Sequence, residues 1–404
     1  MSPLATTRPK LWLLRLGLLA TSLLAVLLLF EGGLRLLGYT AIYEVYSKPS
    51  LLWQRDDTLG WSHVPNSSEV YVGPRPWPVE FSTEVHINSL GLRGPEIEAL
   101  PEEGYRILFL GDSVVAAFEV HQQETFVQLI GERLEGELSL PVQTINAGVR
   151  GYGTDQSLLY YRERGRKFEP DMVVFIHSIN DFRNNTTLHR MGRPFGKPAF
   201  GLDAQGELEL LGMPIPDYPL CAAWVLDEGF VPLRADRTLG RLFCHFERNL
   251  ADRSALFTYA VHTLQRHPKL IHRLHELGTK PGRQTLGSVL EGLNPLRVGR
   301  ARAAPARDPA GQLTAALLIE LAQQVEADGA TFVLLIRASD LERMGGGKIA
   351  AAGIHRYSPV LPPALVQGRR IDFQNDAHYN PLGHEILTRV VTPLLASEIR
   401  RQRR

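Results

Sequence analysis

Uninterrupted apolar runs alternate with amphipathic stretches in two parts of this chain, before residue 182 and after residue 311. Runs without polar alternation are typical of parallel strands that are covered on both faces. They predict strands at residues 106–110, 142–145, 172–177 and 331–336. Apolar residues at helical spacing predict helices at about residues 124–138, 154–167, 312–327 and 381–400. Strands that alternate with helices in this way indicate βαβ units around a mainly parallel sheet.

Three regions depart from this alternation of strands and helices. Residues 182–311 are rich in Arg, Pro and Gly, and we interpret them as an insertion that forms a cap or a small subdomain. Residues 31–104 predict an irregular, β-containing lead-in with β-like runs at 69–72 and 80–87, followed by a turn-rich phrase that packs on the sheet edge. Residues 338–370 predict a long loop. The α/β domain itself then comprises residues 105–181 and 312–400.

The N-terminal apolar segment, residues 11–30, has the length that a membrane-spanning helix needs. Arg8, Lys10 and Arg15 precede its uncharged centre. Because positive residues favour the cytoplasmic side, we expect residues 1–10 in the cytoplasm and the rest of the chain outside it. A cleaved signal peptide is the alternative, but no small-x-small cleavage site follows the apolar run. We therefore favour an uncleaved signal anchor.

Composition excludes some partners. Hydrophobic residues make up 44% and charged residues 22% of the 404 residues, which is a globular composition. A net charge of +1 argues against a general nucleic-acid binder. The two cysteines, Cys221 and Cys244, do not form a zinc pattern; they are either one disulfide or two free thiols. We expect neither a cofactor nor a metal.

Polar or glycine-rich loops follow three of the predicted strands. Ser113 ends the first of them, Gly151 lies in the loop after the second, and Asn180 follows the third. Asp376 and His378 come just before the last helix. The carboxyl ends of strands in a doubly wound sheet share one edge, so these loops can converge there.

The chemistry of this set is that of acyl transfer. A serine hydroxyl needs a base, for which His378 is the candidate, and the imidazole needs an orienting acceptor, for which Asp376 is the candidate. Asn375 and Asp372 remain alternatives for the orienting role. The backbone N–H groups of Ser113 and Gly151 and the side-chain amide of Asn180 are candidate oxyanion donors. Asp112 is expected to cap the helix that follows it.

The same residues resemble a known family. In order, the chain contains Gly111-Asp112-Ser113, Asn146-x-Gly148-x-x-Gly151, Asn180-Asp181 and Asp376-x-His378, which resemble the four sequence blocks of the SGNH (GDSL-type) hydrolase superfamily. The anchor and the phrase at residues 88–94 resemble its membrane-anchored members. The final block departs from the common form, in which the aspartate lies three residues before the histidine.

The resemblance implies a flavodoxin-like three-layer α/β/α fold and serine-dependent cleavage or transfer of ester-linked acyl groups. Carried over by motif, Ser113 is the nucleophile, Gly151 and Asn180 are oxyanion donors, and Asp376 and His378 complete a triad. We expect a membrane-anchored, extracytoplasmic esterase that acts on an acylated carbohydrate or lipid. The alternatives are an O-acyl transferase that modifies a cell-envelope or secreted polysaccharide, and a non-catalytic binding or assembly protein on the same scaffold.

Overall fold

The computed structural model describes residues 8–37, 52–73, 79–187, 196–215, 253–257, 259–260, 308–359 and 363–404. Most of the predicted insertion, with Cys221 and Cys244, lies outside the described residues, as do residues 1–7.

The N-terminal helix α1 (Arg8–Leu36) continues beyond the apolar run that predicts it. Within it, Trp12–Leu36 is long and apolar enough to cross a membrane, and its most apolar part is not buried inside the protein, although Leu34 near its end is. A membrane anchor and a signal sequence both fit such a helix. At its end, Glu31 accepts hydrogen bonds from the backbone N–H groups of Ala255 and Leu256, both at 2.9 Å.

Two antiparallel hairpins form the lead-in. Strands β1 (Trp53–Asp56) and β2 (Gly60–His63) make the first, and β3 (Ser68–Gly73) and β4 (Phe81–His86) make the second. Every other residue of β4 is buried, which is the pattern of a strand with one face on the core. The β-like runs predicted at 69–72 and 80–87 are therefore confirmed.

The central sheet and its helices follow. The strands of the central sheet are β5 (Tyr105–Leu110), β6 (Val142–Asn146), β7 (Met172–Ile176), β10 (Thr331–Leu335) and β11 (His355–Tyr357). Strands β8 (Ala199–Leu202) and β9 (Leu208–Leu211) form a separate hairpin. The helices are α2 (Ser113–Ala116), α3 (Phe126–Leu138), α4 (Thr154–Glu163), α5 (Asp181–Asn184), α6 (Pro309–Ala327), α7 (Ala338–Arg343), α8 (Gly347–Ala351), α9 (Pro363–Val366) and α10 (Pro381–Gln402).

The five strands of the main sheet are parallel and lie in the order β6-β5-β7-β10-β11. Counted along the chain within this sheet, that order is 2-1-3-4-5, the flavodoxin-like arrangement. The order reverses between β5 and β7, and open α/β sheets place their ligands in the crevice at such a reversal. The predicted fold is confirmed.

Alternate residues of the strands face two helical layers. Ile107 and Phe109 of β5 pack in one cluster with apolar side chains of α3 and α10. Leu108 and Leu110 of β5 pack in the other, with α4 and α6 and with side chains of the lead-in such as Trp61. Because these strands are buried on both faces, their sequences are unbroken apolar runs.

The prediction of a long loop at residues 338–370 is wrong. This stretch contains α7, α8, β11 and α9, and β11 adds the fifth strand beside β10. Each of these elements has three to six residues, which is too short to show a period in the sequence. Strand β11 reads His-Arg-Tyr, without the apolar run of a central strand, because it lies at the sheet edge.

Candidate active site

Ser113 begins α2 directly after a turn that requires glycine. Gly111 has a φ of +153°, and a Cβ at this position would lie 2.7 Å from Val115 Cγ2. Asp112 then caps the helix, because its carboxylate accepts the backbone N–H of Val114 at 2.9 Å. This turn, residues 111–113, places the serine at the carboxyl end of β5.

Asp112 also joins the loops on the two sides of the strand reversal. Its carboxylate accepts the Ser178 hydroxyl at 3.0 Å and the Asn180 side-chain amide at 2.8 Å. The structural role predicted for Asp112 is confirmed. One N–H of the Asn180 amide is therefore directed to Asp112, and the group has a second N–H that it can offer to a ligand.

The loop after β6 lies directly against α2. The Asn146 side-chain amide donates to Val115 O at 2.8 Å, and the Val149 N–H donates to Gly111 O at 3.2 Å. A Cβ on Gly148 would lie 2.4 Å from the backbone nitrogen of Ala116, so only glycine allows this approach. Gly151 follows in the same loop. The loop that begins at Asn146 therefore packs against the turn and helix that carry Ser113.

Asp376 and His378 are brought together in the segment before α10, which we term the histidine loop (residues 369–380). The His378 Nδ1–H donates to Asp376 Oδ1, and the same oxygen accepts the backbone N–H of His378 at 2.9 Å. Asn375 instead contacts Glu80, and Asp372 pairs through its backbone with Tyr379. Of the three candidates for the orienting acceptor, the geometry therefore favours Asp376.

The lead-in holds the histidine loop. The Glu80 carboxylate accepts the backbone N–H groups of Gln374 and Asn375, the latter at 2.9 Å. Beside it, the rings of Phe81 and Phe373 lie 5.0 Å apart. The segment at the start of β4 thus fixes the loop that carries the histidine.

The turn-rich phrase at residues 88–94 lies deeper than the sequence predicts. Rather than resting on the sheet edge, it buries the Arg93 guanidinium, which donates to the carbonyls of Ala116, Ala117 and Val120. These carbonyls belong to the end of α2 and to the segment after it. Burial lowers the pKa of Arg93 to about 10, so the side chain is charged at neutral pH.

Two charged residues of the site were missed in the sequence. Glu119 is 2% exposed, and its Oε1 lies 3.3 Å from His378 Nδ1. The Arg150 guanidinium donates to the same Glu119 oxygen. A sequence signal for Glu119 does exist, because it is the single charge in the run Val-Val-Ala-Ala-Phe-Glu-Val at 114–120, and buried charges are almost always paired.

Burial and charge act in opposite directions on the Asp376–His378 pair. Burial works to raise the pKa of Asp376, but the hydrogen bond and charge of His378 and the charge of Arg150 outweigh it, so this pKa is lowered. Burial works to lower the pKa of His378, and Arg150 acts in the same sense. The carboxylates of Glu119 and Asp376 outweigh both, so the pKa of His378 is raised.

The segment that follows α2 connects the histidine loop to the helix that Ser113 begins. Among the described residues, neither the Ser113 hydroxyl nor His378 Nε2 makes a hydrogen bond, and Ser113 is 7% exposed. The contact that relates them is the one between His378 and Glu119, which lies six residues after Ser113. Nε2 is the ring nitrogen opposite to the one that Asp376 and Glu119 face.

Glu119, Asp376 and His378 also offer three atoms of the kind that bind metals, all within 4.8 Å of one another. Arg150 donates to the Glu119 oxygen, however, and its positive charge opposes a cation at that point. We therefore interpret the cluster as a network of paired charges around the imidazole.

Comparison with known protein families identifies the family of this chain. The model of the GDSL-like lipase/acylhydrolase family matches residues 109–386, more than half of the chain. The chain belongs to this family. This GDSL-family protein is an ester-hydrolysing enzyme, as predicted. Comparison with curated protein sequences gives no match.

Solved structures similar to the GDSL-family chain include esterases. A structure described as TesA is 13% identical with a TM-score of 0.35, covering 72% of this chain and 98% of the other. Esterase EstA from a Pseudoalteromonas species is 10% identical with a TM-score of 0.35, covering 73% and 98%. An acetylxylan esterase from Geobacillus stearothermophilus is 11% identical with a TM-score of 0.32, covering 73% and 95%.

Proposed function

We propose that this enzyme hydrolyses esters through Ser113 as nucleophile, His378 as general base and acid, and Asp376 as the acceptor that orients the imidazole. The observation that carries the proposal is the hydrogen bond from His378 Nδ1–H to Asp376. A carboxylate on Nδ1 fixes the tautomer in which Nε2 is unprotonated, which is the form that can accept a proton from a serine hydroxyl.

In the first half of the reaction, His378 Nε2 takes the proton of the Ser113 hydroxyl while Oγ bonds to the carbonyl carbon of the ester. The tetrahedral intermediate carries its negative charge on the former carbonyl oxygen. When it collapses, the bond to the alcohol oxygen breaks, and the alcohol leaves with the proton from Nε2. The product is an acyl group on Ser113 Oγ.

In the second half, His378 Nε2 takes a proton from water as the water oxygen bonds to the acyl carbon. The bond to Ser113 Oγ then breaks, Oγ regains the proton from Nε2, and the acid is released. The Ser113 N–H, the Gly151 N–H and the second N–H of the Asn180 amide are the donors proposed for the oxyanion in both halves. The contact of Asn180 with Asp112 supports this role, because it holds the amide beside the helix that Ser113 begins.

We further propose that the enzyme is anchored by α1 with its catalytic domain outside the cytoplasm, and that it acts on an acylated carbohydrate or lipid there. The basic residues before the apolar part of α1 support this orientation. Washing membranes with alkaline carbonate tests the anchor, because a spanning helix stays in the pellet. A soluble product that begins near residues 31–40 would instead identify a cleaved signal sequence.

Hydrolysis of short-chain p-nitrophenyl esters by the full chain in detergent tests the catalytic proposal. We expect Ser113→Ala to abolish turnover, and a p-nitrophenyl phosphonate to lose p-nitrophenol and add the mass of its phosphonyl group at Ser113 in the parent protein but not in Ser113→Ala. Ser82→Ala is the matched control, because Ser82 is exposed on β4. Equal turnover by the parent protein and Ser113→Ala would overturn the proposal.

Transfer to an alcohol shares the acyl-enzyme with hydrolysis, so the same experiment can distinguish the two. Addition of an oligosaccharide acceptor, followed by mass spectrometry, detects an acylated sugar. If acylated sugar forms in preference to free acid, the enzyme is an O-acyl transferase and not a hydrolase under those conditions.

A further inference from the structure

We propose that Glu119 is a positioning residue for His378, a second carboxylate that fixes the imidazole relative to the helix that begins at Ser113. This inference rests on the proposed function and adds a residue to it. None of the four sequence blocks contains Glu119, which belongs to the segment between α2 and α3.

The two carboxylates on Nδ1 reach it from different parts of the chain. Asp376 lies two residues before His378 and moves with it, so its hydrogen bond sets the tautomer but not the place of the ring. Glu119 Oε1, at 3.3 Å from the same nitrogen, belongs to the segment that continues from α2. Glu119 thus connects the imidazole to the element that carries the nucleophile.

Glu119 is itself held rigidly. Arg150 donates to its Oε1, and the Thr83 hydroxyl donates to its backbone carbonyl at 3.1 Å. Its other oxygen, Oε2, is buried and makes no hydrogen bond within the part of the chain that the structure describes. Burying a carboxylate is costly unless its charge is paired, and here the charge faces the Arg150 guanidinium and the His378 imidazole and also acts on the Arg93 guanidinium.

The charges around the imidazole determine how removal of the Glu119 charge changes the protonation of His378. Asp376 on the histidine loop and Glu119 after α2 are negative, and Arg150 after β6 is positive. His384 on α10 adds no charge at neutral pH, because burial lowers its pKa to about 3. Without Glu119, the Arg150 charge would act on the imidazolium with only Asp376 to offset it.

The experiment uses three variants of the full chain in detergent: Glu119→Gln, Glu119→Asp and the control Glu124→Gln. Glu124 lies five residues further on, and its carboxylate accepts the N–H of His121, away from the imidazole. The pH dependence of kcat/KM is measured with a p-nitrophenyl ester. The protonation of His378 is followed separately by NMR, which requires no turnover. Circular dichroism and thermal melts establish that each variant is folded.

For Glu119→Gln, we expect the acid limb of kcat/KM and the NMR titration of His378 to move to lower pH. The sign follows because removal of a negative charge favours the neutral imidazole. We also expect the plateau of kcat/KM to fall about tenfold, as the imidazolium that forms in the transition state loses a stabilising partner. Glu119→Asp keeps the charge, so it should retain the acid limb of the parent protein while the plateau falls. Glu124→Gln should behave as the parent protein does.

The other outcomes overturn either the inference or the function on which it rests. If Glu119→Gln is folded and neither the titration nor the plateau changes, Glu119 does not act on His378, while the proposed function stands. If the ester is not hydrolysed at all, the proposed function fails, and the NMR titration still decides whether Glu119 and His378 are coupled. If a chelator abolishes activity and Zn²⁺ restores it in the parent protein but not in Glu119→Gln, the cluster binds a cation instead. If Glu119→Gln does not fold, a shifted acid limb in Glu119→Asp contradicts the role of the charge.

Discussion

The turn that carries Ser113 and the loop that carries His378 reach the same edge of the sheet by different means. The serine turn is fixed within the α/β domain, by the φ of Gly111, the cap of Asp112 and the close approach of Gly148 to Ala116. The histidine loop is fixed from outside it, by Glu80 and Phe81 of the lead-in. The family match begins at residue 109, after the lead-in has ended.

This difference indicates that the lead-in helps to position the candidate site. The described parts of the lead-in, residues 52–73 and 79–104, are more than a spacer, because Glu80 holds the histidine loop and Arg93 binds carbonyls at the end of α2 and after it. A chain that began at β5 would keep the serine turn and lose these contacts. The two halves of the site should therefore respond differently to changes in the lead-in.

The largest effect is expected for changes to the proposed nucleophile and the proposed base. Ser113→Ala and His378→Ala should each lower kcat/KM by roughly a thousandfold or more, and the double variant should lose little further, because a nucleophile and its base act as a unit. The measurement is ester hydrolysis by each single variant and by the double variant. If the two losses multiply in the double variant, the two halves act independently and do not form one site.

Arg93→Met should destabilise the protein most among changes in the lead-in. It leaves the carbonyls of Ala116, Ala117 and Val120 without their charged donor, at a cost of about 3 kcal/mol in the free energy of unfolding. The measurement is denaturant unfolding. Arg389→Met is the control, since the exposed Arg389–Glu385 pair should contribute less than about 1 kcal/mol. Equal losses in the two variants would show that the buried contacts of Arg93 are not what stabilises this segment.

Glu80→Gln should affect the histidine loop and leave the fold almost unchanged. It weakens the acceptor of the Gln374 and Asn375 N–H groups, so we expect kcat to fall about tenfold with little change in Tm. Glu84→Gln, at an exposed position of β4, the strand that begins directly after Glu80, should change neither quantity. An unchanged kcat in Glu80→Gln would mean that the loop holds its own conformation and that the contrast between the two halves fails.

The smallest effect concerns pH. Burial lowers the pKa of His384 to about 3, whereas an unfolded histidine titrates near its ordinary value of about 6.5. Between these values the unfolded chain binds the extra proton, so stability is complete above the unfolded pKa and is lost as the pH falls below it. Replacing His384 by Gln keeps an acceptor for the Phe126 N–H and removes the titration.

We therefore expect the loss of unfolding free energy between about pH 7 and pH 5.5 to be about 1 kcal/mol smaller in His384→Gln than in the parent protein. The measurement is denaturant unfolding at both pH values. An equal loss in the two proteins would show that His384 is protonated in the fold and that α10 is packed less tightly on α3 than its stacking on Phe126 indicates.

The sequence by itself determined the parallel sheet and the candidate site residues. Strands buried on both faces must be apolar throughout, and Ser113, Asn180 and His378 each stand at a strand end or just before a helix, where the pattern changes abruptly. Local chemistry also determined the role of Asp112, because a cap depends on neighbours in the chain. The short elements between β10 and α10 were missed, since they are too brief to have a period.

Only the tertiary structure decided which groups surround the imidazole. Asp376 could be distinguished from Asn375 and Asp372 only by where each side chain points, and spacing along a loop does not specify that. Glu119 and Arg150 come from segments after α2 and β6, and they meet His378 because the sheet order brings those segments to one edge. Charges are paired by distance in space, so the network around His378 is absent from any local pattern in the chain.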